Sequence, residues 1–336
     1  MGTPRAPWQN IVCICPQVTS ISTAATFLST DDAIETGKPG LPVLNRDYSL
    51  NPGQRFIEER QAFGISNLKK EERKLDRKLP SVTLEFPVNA YNLKLLLWLF
   101  FQKGMSEADT SPYVGTCVPY TDCDCEVWAT VADPITGALS SGDNEAIHGA
   151  IVRSLTISGE EGGQIKGSAE FVGANYTDTF NTANAVVTVS TQTALLYRDT
   201  VIALDNNQIY IPSFSVTLEH DVASLNYNSM TMRKHVLGDL VVTGELVIPR
   251  DSGSASEDDE AQITDLLAGD DKKLVIYWGN SPASSTGDVS IVMDILYKEK
   301  EKVSDNEIGT RLPFEQVAGN DNLSITVADG IDRGIP

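Results

Sequence analysis

The sequence predicts a mainly-β protein built from two similar halves, each a sheet with one flanking helix, after an extended N-terminal arm. Segments that alternate apolar and polar residues, such as residues 82–88, dominate the chain and are typical of half-buried strands. Only residues 90–103 and 259–267 have a helical pattern. The order hairpin, helix, strand, hairpin occurs twice, which predicts an internal duplication.

The domain boundaries follow from shifts in composition. Residues 1–55 are rich in Pro, Thr, Ser and Gly and contain turn signals such as Asn51-Pro52-Gly53, so we expect an extended arm. Residues 56–200 and 201–336 are then expected to form the first and second β domains.

The first half opens with an expected strand at residues 56–66, whose partner is the alternating strand at residues 82–88. Asn89 is a suitable N-cap, and the helix at residues 90–103 ends at Gly104. Apolar residues surround most of this helix, so we expect it to be buried between the sheet and a neighbour. The strand at 125–132 and the hairpin formed by 150–158 and 165–172 complete the half.

The second half repeats this order with weaker signals. Its expected elements are a strand at 211–219, a long loop at 221–238, a strand at 240–248, the short helix ended by Gly269, a strand at 273–278 and a hairpin formed by 289–302 and 310–317.

Charge and hydropathy exclude several classes of protein. The chain has 336 residues, with 26 basic and 46 acidic residues, and its net charge of −20 argues against a duplex-DNA binder or a protein that docks on anionic lipid. The longest strongly apolar run, residues 95–101, is too short to cross a bilayer, which needs about 20 residues. No signal peptide is evident at the start, so we expect a soluble protein.

Motifs for catalysis and cofactor binding are missing from the sequence. It contains no phosphate-binding glycine loop, no zinc-protease motif and no nucleophile elbow. The triplet Glu219-His220-Asp221 is expected at a strand end with the imidazole on the opposite side from the carboxylates, which is unsuitable for acid–base catalysis. We therefore predict that the protein is not an enzyme and has no cofactor.

The five cysteines raise the question of a metal site. Cys117, Cys123 and Cys125 lie close in sequence, but their spacing differs from that of zinc knuckles and no histidine is nearby. An odd number of cysteines is also a poor disulfide framework, so we expect reduced thiols and no metal.

Three segments of the sequence resemble the tail tube (major tail) proteins of long-tailed bacteriophages in their two-half form. They are Pro80-Ser-Val-Thr-Leu-Glu-Phe-Pro-Val88 running into Leu93-Lys-Leu-Leu-Leu-Trp98; Ile151-Val-Arg-Ser-Leu-Thr-Ile-Ser-Gly159 followed by Gly167-Ser-Ala-Glu-Phe-Val-Gly173; and Asp205-Asn-Asn207 with Ser213-Phe-Ser-Val-Thr-Leu-Glu219 and residues 238–248. The likeness spans about residues 56–300 and does not cover the arm.

The resemblance implies two β-sandwich or barrel-like halves and a structural virion protein of the phage tail, assembled in the host cytoplasm. Such subunits form stacked rings, either trimers with pseudo-six-fold symmetry or hexamers, around a lumen through which DNA passes without specific binding. Its partners would be further copies of itself and the tip or initiator, tape measure and terminator proteins of the tail, with no membrane. An acidic lumen would repel phosphate.

The resemblance also implies roles for particular residues. A basic loop in each half would reach the adjacent ring, and its residues are Lys69, Lys70, Arg73, Lys74, Arg77 and Lys78 in the first half and Arg233, Lys234 and His235 in the second. Part of the first helix would lie at a subunit seam, and the residues expected to be buried there are Leu95, Leu96, Trp98, Leu99, Phe100 and Phe101.

Two alternatives to the tube remain at this stage. The first is a virion surface protein or carbohydrate-binding β-sandwich, in which Trp128, Trp278 and Tyr277 would offer stacking faces. The second is an enzyme with a metal bound by the three clustered cysteines.

Overall fold

Strands account for most of the structure, which confirms the mainly-β prediction. The structure, a computed structural model, describes residues 11–17, 38–44, 51, 53–58, 73–120, 125–132, 144–180, 187–189, 192–225, 234–249, 259–299, 301–302, 309–317, 322–332 and 335. None of the helices in these residues is long and apolar enough to cross a membrane.

The strands of the first part of the chain are β1 Ile11–Gln17, β2 Lys38–Pro42, β3 Gln54–Glu58, β4 Arg73–Lys78, β5 Ser81–Pro87, β6 Met105–Glu107, β7 Val114–Cys117, β8 Trp128–Ala132, β9 Asn144–Glu160, β10 Lys166–Val172, β11 Asn175–Phe180 and β12 Val187–Val189. The second part contains β13 Val201–Leu204, β14 Asn207–Ile209, β15 Ser213–Leu225, β16 Lys234–Pro249, β17 Lys272–Trp278, β18 Val289–Tyr297, β19 Glu301–Lys302, β20 Gly309–Gln316 and β21 Leu323–Ala328. Two α-helices, α1 Ala90–Phe101 and α2 Asp259–Ala268, and two short 3₁₀ helices, Gln102–Gly104 and Tyr197–Asp199, complete the described elements.

The central sheet is antiparallel, with strand order β5–β10–β9–β15–β16–β20. One side is apolar along its whole width, with Leu84, Ala169, Leu155, Leu218 and Val242 all buried. This apolar side belongs to a single core that also includes α1 and the β17–β18 strands. The burial of apolar surface in this shared core therefore helps to hold the two parts of the chain together.

Helix α1 forms as the sequence predicts. Asn89 caps its first turn by accepting a hydrogen bond from the backbone N–H of Asn92 at 2.8 Å. The helix ends at Phe101 and is followed by one 3₁₀ turn to Gly104. Every residue of α1 is buried, and the helix contacts β9 from the first half and β21 from the second. Its covering neighbour is thus a strand of the same chain.

The two parts of the chain share one order of strand pairing. In the first half β5 pairs with β10, β10 with β9, and β9 with both β8 and β11. In the second half β16 pairs with β20, β20 with β18, and β18 with both β17 and β21. A helix follows the first strand in each case. The same order of pairing supports a duplication of one β unit.

Strand pairing also crosses between the halves. Strand β15 pairs with β9, and β21 pairs with β7, more than 200 residues earlier in the chain. All strands except β3 and β4 belong to one connected sheet system within the described residues. The division at residue 200 therefore stays a prediction about folding units.

Parts of the predicted arm take part in this system. Strand β1 pairs antiparallel with β8 and with β2, and Val12 and Ile14 are buried in the core. The predicted β-type segment at residues 18–21 lies outside the described residues.

Candidate functional site: a polar sheet face and a basic ribbon

The side of the central sheet opposite the core, which we call the polar face, carries three rows of side chains, most of which are short and polar or acidic. Strand alternation and register place residues directly across from one another on one face. The rows run through Glu85, Ser168, Thr156, Thr217, Thr243 and Glu315; through Thr83, Glu170, Ser154, Glu219 and Val241; and through Lys166, Ser158, Ser215, Glu245 and Pro313. At the centre, the hydroxyls of Thr156 and Thr217 hydrogen-bond to each other at 2.9 Å.

Carboxylates outnumber cations on the polar face. Each of its basic side chains is paired with a glutamate: Arg153 with Glu170 at 2.7 Å, Arg311 with Glu245 at 3.5 Å, and Lys166 with Glu160 at 3.5 Å. Glu85 and Glu219 add further exposed negative charge. A face of hydroxyls and excess carboxylates is expected to bind a polyanion such as DNA only weakly.

Four of the six first-half cations do not lie in a loop, so this part of the sequence prediction is wrong. Residues 73–78 form β4, which pairs antiparallel with β3 in a separate two-stranded ribbon. The predicted pairing with residues 82–88 is also wrong for residues 56–58, because they pair with β4, whereas β5 pairs with β10. Residues 59–66 lie outside the described residues. Arg73, Lys74, Arg77 and Lys78 therefore belong to this β3–β4 ribbon, which we call the basic ribbon, while Lys69 and Lys70 lie outside the described residues.

The second basic group is also placed differently from the prediction. Strands β15 and β16 extend well into the expected loop at 221–238, so Lys234 and His235 lie on a strand. His235 is fully buried, and its Nε2 lies 2.9 Å from the backbone oxygen of Gly149. The buried imidazole is therefore not available for the predicted contact between rings, and Arg233 lies outside the described residues.

The other two histidines are buried as well. His148 lies 3.4 Å from the hydroxyl of Thr130, and the His220 ring packs 4.5 Å from that of Phe100. Burial lowers the pKa of His148 and of His235 to about 4 and also lowers the pKa of His220. These imidazoles are therefore neutral at pH 7 and belong to the packing of the sheet.

The burial predicted for α1 is confirmed. Leu95, Leu96, Trp98, Leu99, Phe100 and Phe101 are each 4 % exposed or less. Because the chain's own strands already cover them, a neighbouring subunit has little surface left to bury here. Their place at a subunit seam stays a prediction.

A buried charge cluster on the same helix was missed from the sequence. Lys94 is fully buried and its ammonium donates to Asp329 Oδ1 at 2.8 Å and to the carbonyl oxygens of Tyr113 and Ile331 at 2.7 and 2.9 Å. It also forms an ion pair with Glu107. The signal was a lone lysine in the apolar run 93–101, because a charge that is buried in a helix needs partners. The Lys94 cluster ties residues 329–331 to α1.

Two of the cysteines proposed for a metal are buried free thiols. Cys117 is fully buried, and burial raises its pKa well above the usual range. Cys125 is also buried, and Cys123 lies outside the described residues. The described part of the chain holds no group of three or more His, Cys, Asp or Glu side chains arranged for a metal ion.

The aromatic residues of the carbohydrate-binding alternative are mostly occupied. Trp278 is buried in the main core, and Trp128 packs against the small cluster of Cys125, Ile151 and Leu237. Tyr277 alone lines a groove, of about 630 Å³, on the outer side of β17 and β18. Of the three aromatic residues proposed to stack against a carbohydrate, Tyr277 is therefore the one that lies in a groove.

The polar face, the repeated order of strand pairing and the basic ribbon describe a mainly-β protein with large polar surfaces. The sequence profile of the phage tail tube protein family matches residues 69–315, or 247 of the 336 residues. The chain belongs to this family. It is a structural component of the virion tail that assembles with itself and with other tail proteins. A comparison with curated protein sequences gives no match.

Proposed function

We propose that this chain assembles as stacked rings of three copies, and that their polar faces line the lumen through which the DNA genome passes. The observation that carries the proposal is the polar face itself, a continuous antiparallel sheet of six strands with excess carboxylate on one side and the core on the other. The side away from the core is the only side of this sheet that can face a water-filled channel. Its charge would let phosphates slide past.

The duplication favours three copies over six. Two halves with the same strand pairing give six similar units in a trimer, which satisfies pseudo-six-fold symmetry. With six to eight strands of each copy in the wall, three copies supply roughly 18 to 24 strands. At a spacing of about 4.8 Å these strands give a circumference of roughly 85–115 Å. Barrels larger than about 16 strands leave an aqueous channel, so such a ring would be open.

The assembly proposal is tested by electron microscopy of the purified protein at increasing concentration, with and without a tail-tip preparation that can initiate assembly. Hollow rings or tubes are the expected result, and the mass per ring separates three chains from six. Particles that stay monomeric in both conditions would overturn the proposal.

Stacking between rings is assigned to the basic ribbon, with the acidic segment at residues 251–271 as its complementary surface on the next ring. Replacing Arg73, Lys74 and Arg77 by Glu is expected to leave rings intact and to abolish tubes. The matched control replaces three cations elsewhere on the surface, Lys103, Arg198 and Lys273, by Glu. Tubes of normal length from the ribbon variant would refute this role. Breakdown of stacking in both variants would show that total charge, and not the ribbon, is responsible.

A further inference from the structure

The junction between the two halves joins β9 to β15. Residues 154–160 of β9 pair with residues 219–213 of β15, on the edge of β9 opposite β10. At the centre of this junction Thr156 lies opposite Thr217. Since the halves are equivalent, the second half should have an edge that corresponds to this edge of β9.

A shared bulge identifies that edge. In the first half, Glu170 and Phe171 of β10 pair with Ser154 and Val152, so β9 carries one extra residue, Arg153. In the second half, Phe314 of β20 pairs with Tyr297, and Arg311 of β20 pairs with Glu301. The four residue steps from 297 to 301 therefore lie opposite only three steps on β20, so one extra residue is present here as well. The residue after Tyr297 is again basic: Lys298, which pairs with Glu315 at 2.5 Å. Val152 and Tyr297 occupy equivalent positions before the extra residue. Thr156 lies four residues after Val152 and Glu301 lies four residues after Tyr297, so Thr156 corresponds to Glu301.

The same counting identifies the residue that corresponds to Thr217. Strands β5 and β16 both end in proline, and Pro87 and Pro249 both lie at the end of the ladder to the next strand. Six residues before these prolines are Ser81 and Thr243. On the side of β16 that does not face β20, Thr243 pairs with Thr217. On the side of β5 that does not face β10, Ser81 pairs with Asn51. Asn51 therefore corresponds to Thr217.

Both corresponding positions lie at edges. Within the described residues β19 pairs with β20 alone, and Asn51 pairs with Ser81 alone. Unpaired strand edges are unstable in isolation and favour pairing with another chain. Asn51 exchanges both backbone hydrogen bonds with Ser81, at 2.9 and 3.0 Å. A pair formed on its other side is therefore of the non-hydrogen-bonded kind, with Cα atoms about 4.5 Å apart.

We propose that neighbouring copies in a ring join through these two edges, with Glu301 of one copy opposite Asn51 of the partner subunit. The contact repeats between chains the Thr156–Thr217 junction that each chain contains within itself, so the central sheet continues around the ring without an edge. This inference rests on the proposed ring assembly and names its interface and register.

The test is a disulfide across the interface in the full chain. In a variant with Asn51→Cys and Glu301→Cys, mild oxidation during assembly is expected to give covalent dimers and closed trimers on non-reducing gels, since about 4.5 Å between Cα atoms suits a disulfide. The control variant, Asn51→Cys with Lys302→Cys, differs by one residue. Successive positions of a strand alternate between its two faces, so this shift by one position is expected to give at least about tenfold less product. The unmodified chain gives the background from the native cysteines.

A second control tests the Thr156–Thr217 junction within one chain, which the proposed interface repeats. The pair Thr156→Cys and Thr217→Cys is expected to form a bond within each chain, with or without assembly. If microscopy shows rings but the Asn51–Glu301 pair gives no bond between chains, the interface is wrong and the ring assembly stands. Equal bonding in the one-residue control would overturn the register. If no rings form in the unmodified chain, the proposed function fails and the interface fails with it.

Discussion

Replacing Lys94 by Met is expected to lower the free energy of unfolding by about 3–5 kcal/mol, because removal of one partner leaves buried charges uncompensated. The side chains of Lys94 and Asp329 are fully buried and that of Glu107 is 3 % exposed, so water cannot solvate the carboxylates that remain. Met has a similar length and fills the space of the lysine stem, so the loss reports charge and hydrogen bonding. The carbonyl oxygens of Tyr113 and Ile331 also lose their donor.

The assay is urea unfolding of the unassembled chain, followed by the midpoint and slope of the transition. Lys166→Met is the control, because its ion pair with Glu160 is exposed and should change stability by less than about 1 kcal/mol. Adding Glu107→Gln and Asp329→Asn to the Lys94→Met chain should restore part of the loss, since neutral side chains are cheaper to bury. A loss below about 1 kcal/mol for Lys94→Met with an unchanged slope would refute the reasoning.

Three further predictions follow from described contacts. Glu219→Lys on the polar face is expected to make assembled tubes retain a short DNA duplex in co-sedimentation, and to retain more of it at low salt than at high salt. The control variant Glu126→Lys, which changes a residue away from that face, should not retain the duplex. Equal retention by both variants would contradict a polar face that lines the lumen. The neutral imidazoles of His148 and His235 have pKa values lowered to about 4, so the unfolded chain binds more protons between pH 6.5 and 4. Stability should therefore be complete above pH 6.5 and fall by up to about 2.7 kcal/mol per pH unit down to pH 4, which denaturation at several pH values measures and a flat profile would contradict. The buried thiol of Cys117 should resist alkylation in the folded chain and react after unfolding, as mass spectrometry of labelled peptides can show, and native labelling would contradict its burial.

The local elements were predictable from sequence because their signals are local. Asn89, the apolar run after it and Gly104 predict both ends of α1, and the alternation in residues 82–88 predicts the buried face of β5. The burial of α1 along its whole length was also predictable, since few polar residues interrupt its apolar sequence. What covers the helix was not, because β21 pairs with β7 across more than 200 residues and no local pattern encodes that choice.

The candidate site was predictable only in part. Basic clusters such as Lys234-His235 favour a loop interpretation, yet the register of β16 against β15 places His235 in the core. The polar face was out of reach for a related reason. Each of its strands shows alternation alone, but the row from Glu85 to Glu315 exists only once five strand registers are known.

The ladder between β21 and β7 has a consequence for the order of events on the ribosome. Residues 114–117 leave the ribosome early, but their partner, residues 323–328, is synthesised some 200 residues later. Residues 329–331, which complete the Lys94 cluster beneath α1, follow directly after. A nascent first half thus lacks both the strand that covers its helix and the counter-charge of its buried lysine. The packing around α1 is therefore complete only after residues 323–331 have been made, so the topology of the fold makes the last described strand the one that finishes the core.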